Sequence, residues 1–486
     1  MPATLASQSA QRSMMLRIVT VLIGLSPLLG FEMVCRLVGW GNLSELHDPF
    51  VGFTQVVPLF ILDETGTRYV TSPSRQPFFQ PDSFDTQKPP TEFRVFCLGG
   101  SSVQGRPYSI ETSFTTWLEL SLNAADPSHV WQVINCGGVS YASYRLAPIL
   151  EEVLNYEPDL VVLYTGHNEF LEDRTYQKVK HAARPLTHLH SWTSRLRSYN
   201  TLRVALHGSQ DAAAPPGARE ELSTEVEARL DYRGGLNEYQ RDDSWQKNVV
   251  SHYRFNLDRM ILLAREAGIP IILVNPPSNL KDCPPFKSEV DAALTAAQRN
   301  NFTRLWTQAQ VTKEPEQRIA ILERALSIDP RHAAARFLLA ETYALVNRIS
   351  EAKHAFVRAR DEDICPLRMT SRQHDVIRQV AKTSGVPLLD LEHLLALKSP
   401  HGILGNNWLL DHVHPSINGH QLIAQALLDK LVTLQFSKPI ANWKINQQRH
   451  YSSHLDKLTP LYFATGKERL EALLRWTQGR SHRIKP

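Results

Sequence analysis

The chain predicts an α/β domain built on a doubly wound parallel sheet of five strands. Short apolar runs recur at Phe93–Leu98, Val130–Cys136, Leu160–Tyr164, Ile269–Val274 and Val386–Leu391, each flanked by Gly, Pro or Asp. Stretches of helical length separate them. Near-continuous apolar strands alternating with helices are what a parallel sheet covered on both faces requires. Hydrophobic residues make up 42% of the 486 positions and charged residues 21%, enough for an ordinary packed core and against global disorder.

The first element is apolar. Arg12 and Arg17 precede a run from Ile18 to Phe31 that resumes after Glu32 and continues past Arg36 to Val38, 21 residues in all from Ile18. That length crosses a bilayer core of about 30 Å. Glu32 and Arg36 stand one helical turn apart, where they can pair or snorkel. The expectation for 1–40 is a cytoplasmic start and an uncleaved signal anchor, with the large domain outside. A cleaved signal peptide and a buried helix are the alternatives. Segment 41–92, rich in Pro, Gly, Ser, Thr and Asp, reads as a stalk with a short hairpin at Leu59–Leu62 and Thr67–Val70.

Two insertions interrupt the sheet domain, whose first part spans 93–287 and last part 364–436. The first, 171–245, reads as a flap, because it carries scattered His and Arg and a soft linker from Ser209 to Gly217. The second, 288–363, is helical with a period of 34: Ala325 aligns with Ala359, Phe302 with Arg336 and Leu305 with Leu339. Its second unit, Leu339-Ala340-x-x-Tyr343 followed by Ala352-x-x-x-Phe356-x-x-Ala359, resembles a tetratricopeptide repeat. The first unit departs from that pattern at Arg318, and a plain helical hairpin is the alternative. Such repeats carry protein contacts, so a protein partner on this insert is one expectation.

The formal charge of +4 is small for the size and argues against a nucleic-acid binder. The excess is local: Ser437–Pro486 holds ten Lys/Arg against three Asp/Glu, a basic helical tail.

Three motifs fall where a doubly wound sheet binds ligands, outside the carboxyl ends of its strands. Strand one runs into Gly99-Gly100-Ser101-Ser102, which lacks the Lys of a phosphate-binding loop. Strand three runs into Gly166-His167-Asn168. Late in the chain Asp411-His412-Val413-His414-Pro415-Ser416-x-x-Gly419 precedes a helix. A serine is a weak nucleophile until a base takes its proton, and a histidine oriented by a carboxylate three residues away can do so. An Asn amide supplies a donor that does not titrate, suited to a developing oxyanion.

Together these motifs resemble the SGNH (GDSL-type) serine hydrolases, over about Phe93–Val432 less the insertions, with that family's flavodoxin-like core. The resemblance implies Ser101 as nucleophile, His414 as general base, Asp411 as its orienting acid and Asn168 as an oxyanion donor. The family's second block matches Asn135–Ser143, and its oxyanion glycine falls on Ser140, with Gly138 two residues before. Gly100 stands where the family has Asp. Ser102 is the runner-up nucleophile.

The function implied is a membrane-anchored, extracytoplasmic esterase acting on an O-acyl ester, with an acylated carbohydrate as the expected substrate class. It needs no metal or organic cofactor. Acyl transfer to an envelope polysaccharide is one alternative, and a catalytically silent scaffold another. Arg145 reads as an anion clamp or an interhelical salt bridge. Cys283 and Cys365 stand at the two ends of the helical insert, where an oxidising compartment could join them.

Overall fold

The computed structural model describes residues 57–172, 226 and 228–477, and in a separate unit 26–27, 29–38, 40, 196–198 and 201–202. In that separate unit residues 29–38 are helical. Arg36 Nε donates to Glu32 Oε1 at 2.8 Å, the i, i+4 pair expected from the sequence. Most of the apolar run before Phe31 lies outside the described residues. Among the described residues no helix is long and apolar enough to cross a membrane.

The main body is a three-layer α/β domain. Its parallel sheet consists of β4 (Glu92–Gly99), β5 (Val130–Gly137), β6 (Leu160–Tyr164), β7 (Ile271–Asn275) and β8 (Leu388–Asp390), ordered β5-β4-β6-β7-β8. Taken in chain order this is 2-1-3-4-5, the flavodoxin-like order, with its switch point between β4 and β6. Strand side chains alternate between two cores. Phe96, Leu98, Ile134, Val161, Leu163 and Leu273 face one side. Val95, Cys97, Val133, Val162, Ile272 and Val274 face the other.

Of the helices, α1 (Ser101–Gln104) follows β4 directly, and α2 (Phe114–Ala125), α3 (Ser143–Val153) and α4 (Asp243–Glu266) follow in order. The insert holds α5 (Ala296–Val311), α6 (Pro315–Ile328), α7 (Ala333–Leu345) and α8 (Ile349–Asp361). After it come α9 (Ser371–Ser384), α10 (Leu391–Leu397), α11 (Ile417–Thr433), α12 (Trp443–Leu455) and α13 (Pro460–Thr477). Side chains of α3, α4 and α9 fill the first core, and those of α2, α10 and α11 the second.

From Val57 on, the segment expected to be a stalk is part of the body, and 41–56 lie outside the described residues. Phe60–Leu62, Arg68–Thr71 and Ser83–Asp85 form an antiparallel sheet, β1–β3. The hairpin stands where the sequence puts it, while β3 carries a single apolar residue, Phe84, and gives no strand signal. Leu59, Phe60, Phe79 and Phe84 are fully buried with Phe96 and Ile134. Glu152 of α3 accepts the N–H groups of Leu59 and Phe60 at 2.7 and 2.8 Å.

The insert forms two helical hairpins around Phe302, Leu305, Ala325, Leu339, Phe356 and Ala359. Arg318 fits the first because its side chain is half-buried and donates to the Thr312 carbonyl at 2.8 Å. Two hairpins alone bury little, and this pair packs on Leu280 and Ile403 of the host domain. Arg331 links the insert to α4, pairing with Asp243 at 2.7 Å and Glu362 at 2.9 Å.

The ends of the insert are neighbours, though no disulfide joins them. Asp363 accepts the N–H groups of Phe286 and Lys287 at 2.8 and 3.0 Å, and Ile364 donates to the Lys287 carbonyl. Cys283 and Cys365 are buried free thiols, as are the other three cysteines. Cys283 Sγ approaches the Pro284 carbonyl, whereas Cys365 packs among Tyr239, Ile364 and Leu367. The carboxylate of Asp363 and the guanidinium of Arg368, 3.6 Å apart, hold the junction in place of a covalent bridge.

The basic tail is also packed over its described residues, 437–477. In α12, Tyr451 and Gln447 hydrogen-bond Ser121 of α2 at 2.7 and 2.8 Å. In α13, Tyr462 bonds Thr112 at 2.8 Å.

Candidate active site

Gly99 ends β4, and Gly100 turns the chain in an extended conformation so that Ser101 opens α1 at the carboxyl edge of the sheet. Ser101 Oγ lies 2.7 Å from His414 Nε2. His414 Nδ1 lies 2.6 Å from Asp411 Oδ2. The other carboxylate oxygen, Oδ1, accepts the N–H groups of Val413 and His414, both at 2.8 Å. The structure therefore brings Ser101, His414 and Asp411, expected from the sequence, into one continuous hydrogen-bonded chain.

The loop bearing Asp411 and His414 is fixed from several sides. Leu410 N–H donates to the His414 carbonyl and Ser416 N–H to the Trp408 carbonyl, both at 2.8 Å, which close a tight turn. Ser416 then caps α11, accepting from Gly419 N–H at 3.1 Å. A side chain at Gly419 would stand 2.4 Å from the Trp408 carbonyl, so the motif needs glycine there. Asn279 Nδ2 donates to the Asp411 carbonyl at 2.9 Å, and Asn279 N–H to the His412 carbonyl at 3.0 Å. Asn279 was not singled out from the sequence, although it follows β7 at the same strand edge. Ser102 Oγ donates to the Val413 carbonyl at 3.2 Å, which gives the runner-up serine a holding role.

Electrostatics fits this arrangement. Burial alone would raise the Asp411 carboxyl, but the His414 and His412 imidazoles and the hydrogen bonds from His414 hold it well below the usual carboxylate range. His412 is pushed down to about 4 by burial, with His414 and Arg368 adding to the effect. Asp411 stays ionised and His412 stays neutral near pH 7. Asp411, His412 and His414 also form a cluster of metal-capable side chains. Both ring nitrogens of His414 already face protein partners, however, so that ring has no free lone pair to offer.

Asn168 Nδ2 donates to the Tyr141 carbonyl at 3.0 Å and lines the same cavity as Ser101 and Ser140. One of its two N–H bonds is thereby fixed and the second is left for a ligand. Ser140 adopts a left-handed conformation, φ 63°, uncommon for a residue other than glycine. Its N–H has no partner among the described residues. Gly138 differs: its N–H donates to the Gly99 carbonyl at 2.9 Å, so that donor, expected from the sequence, is already taken.

Arg145 is a buried salt bridge, gripping Glu172 with two nitrogens at 2.7 and 2.8 Å. The flap histidines His181, His188 and His190, which lack Cys or carboxylates at metal-ligand spacing in the sequence, lie outside the described residues. The cavity beside Ser101 measures about 40 Å³, and Leu473 and Trp476 of α13 form part of its wall. Trp476 Nε1 donates to Asp231 Oδ1 at 2.7 Å, which fixes the indole. A larger cleft of about 490 Å³ lies at the amino ends of β7 and β8, away from these groups.

Comparison with solved structures gives similar folds. An α/β hydrolase enzyme from the metagenome of Lake Arreo, Spain, is 14% identical, with 69% of this chain and 94% of that one covered and a TM-score of 0.30. The lipase/acylhydrolase from Enterococcus faecalis is 13% identical over 70% and 95% of the two chains, TM-score 0.30. An acetyl-xylooligosaccharide esterase from Geobacillus Stearmophilus is 15% identical over 70% and 95%, TM-score 0.30. At such identity and TM-score the chemistry of the site rests on its own geometry. Comparison with curated proteins finds no match. Residues 313–363 match the family described as Tetratricopeptide repeat, so α6 to α8 of the helical insert are a tetratricopeptide-repeat element.

Proposed function

We propose that the chain is an SGNH-type serine hydrolase that cleaves O-acyl esters through Ser101, His414 and Asp411. The observation that carries this reading is the unbroken chain from Ser101 Oγ through both ring nitrogens of His414 to Asp411, at 2.7 and 2.6 Å. Ser101 Oγ attacks the ester carbonyl while His414 Nε2 takes its proton. Asp411 stabilises the imidazolium that forms, and His414 then returns the proton to the leaving alkoxide. Asn168 Nδ2 and the Ser140 N–H receive the tetrahedral oxyanion. Water repeats the sequence in reverse to release the acid.

A cavity of about 40 Å³ favours a short acyl group such as acetyl, and an O-acetylated carbohydrate is the substrate class we propose. We also propose that the apolar run before Val38 anchors the chain in a membrane, with the sheet domain on the extracytoplasmic side. A silent scaffold would have no need of the aligned hydrogen bonds, while the tetratricopeptide insert leaves room for a protein partner. The test is acetate release from acetylated oligosaccharides by the full chain and by Ser101→Ala. Release by the former alone supports the reading, and equal release by both contradicts it. A sugar hydroxyl that outcompetes water in the same assay identifies acyl transfer.

A further inference from the structure

The cavity beside Ser101 contains a cation that the proposed ester chemistry does not use. Arg106 lines it together with Ser101, Asn168 and Trp476. Its position is tied to the nucleophile, since Arg106 N–H donates to the Ser101 carbonyl at 3.1 Å. The side chain is half-buried, and its one hydrogen bond among the described residues is a long one, Nε to Gln104 Oε1 at 3.4 Å.

Several other buried arginines hold carboxylates, and Arg75 and Arg229, which hold none among the described residues, lie over the aromatic rings of Phe79 and Tyr239. Arg94 pairs with Glu92 at 2.7 Å, Arg145 with Glu172 at 2.7 Å and Arg259 with Glu151 at 2.5 Å. Arg106 has no such partner among the described residues, and the charge that acts on it is another cation. Arg469 of α13 donates to the Tyr108 carbonyl at 3.0 Å and likewise lacks a carboxylate among the described residues. Burial, and then the Arg469 charge, push Arg106 below the usual guanidinium value. Arg469 does not line the cavity, but its charge repels that of Arg106, and a half-buried guanidinium without a counter-ion resists desolvation. A bound anion removes both penalties, and the fork of N–H donors matches carboxylate or phosphate.

We infer that Arg106 recognises an anionic group on the substrate, so that the ester cleaved at Ser101 is carried by a molecule bearing a carboxylate or phosphate close to the acyl group. The inference rests on the serine hydrolase reading and narrows its substrate to acidic esters, such as an acylated acidic sugar. Trp476 and Leu473 line the cavity together with the guanidinium, and apolar walls of this kind lower the local dielectric and strengthen such a pair.

The test uses matched aryl acetates, 3- and 4-acetoxybenzoate against their methyl esters, with the full chain. The wild type favours the anionic member of at least one pair by about tenfold or more in kcat/KM, chiefly through KM. Arg106→Gln lowers that ratio about tenfold, while Arg106→Lys keeps part of it. A measurement on the wild type alone covers the case in which a variant does not fold: benzoate and phenyl phosphate slow fluorophosphonate labelling of Ser101, and their relative potency tells carboxylate from phosphate. Equal rates on both pairs with no protection by either anion overturn the inference and leave the hydrolase reading standing. Failure of the probe to label Ser101 at all overturns the hydrolase reading and the inference with it.

Discussion

The amide nitrogen of Asn168 lies 2.6 Å from the point where a β-carbon on Gly100 would stand. The residue before the nucleophile is thus a glycine for a reason that concerns the other side of the cavity. A larger side chain there pushes away the tip of Asn168, which can move at little cost in stability, but its N–H then no longer points at the oxyanion.

Gly100→Ala is therefore expected to fold with near wild-type stability and to lose roughly 10 to 100-fold in kcat, approaching the 10² to 10³ expected for Asn168→Ala. Thermal unfolding and ester kinetics on both variants check this. If Gly100→Ala unfolds early and keeps its kcat, the contact matters for packing instead.

Ser102→Ala separates holding from attack. Loss of the bond to Val413 at 3.2 Å loosens the loop carrying His414, so the rate falls by roughly tenfold while labelling still maps to Ser101. Ser101→Ala removes the attacking oxygen and abolishes labelling. Peptide mapping of the labelled protein distinguishes the two serines.

Trp476→Ala is expected to widen the cavity and change acyl selectivity. Loss of the indole and its bond to Asp231 raises kcat/KM for butyryl or octanoyl esters relative to acetyl by about tenfold. An unchanged chain-length profile places the selectivity elsewhere.

His420 predicts acid sensitivity. Its Nδ1 accepts the Phe114 N–H at 3.1 Å while the ring stacks on Phe114. Burial, reinforced by His414, pushes its pKa down to about 3. The unfolded chain binds a proton below about 6.5 where the folded chain does not. The contribution of this group to stability is full above pH 6.5 and is lost as pH falls towards 3, at about 1.4 kcal/mol per pH unit. His420→Asn keeps an acceptor for Phe114 but does not titrate. Its stability, lower at neutral pH, should fall less steeply between pH 6.5 and 4 in denaturant titrations. Parallel slopes would contradict this.

Much of the fold was legible because its signals are local. Leu160–Tyr164 is a strand at the bounds its apolar run suggests, and the Asp411 to Gly419 motif is a self-contained turn whose residues fix one another. Legibility failed where long-range contacts decide. Phe84 is a lone apolar residue between polar neighbours, and only burial against Phe60 and Phe96 makes β3 a strand. Asn279, Arg106 and Trp476 come from three distant segments, so nothing in their own neighbourhoods shows that they meet beside Ser101 and His414. The N–H of Gly138 was open as an oxyanion donor until the path of β4 beside β5 gave it the Gly99 carbonyl.

The most direct test of the central claim is fluorophosphonate labelling of the full chain, followed by peptide mapping. Labelling at Ser101 alone, abolished in Ser101→Ala and His414→Ala and slowed by roughly 10³ to 10⁴ in Asp411→Asn, is the predicted result. An unlabelled Ser101 in folded protein, or labelling that persists at wild-type rate in His414→Ala, would contradict the account.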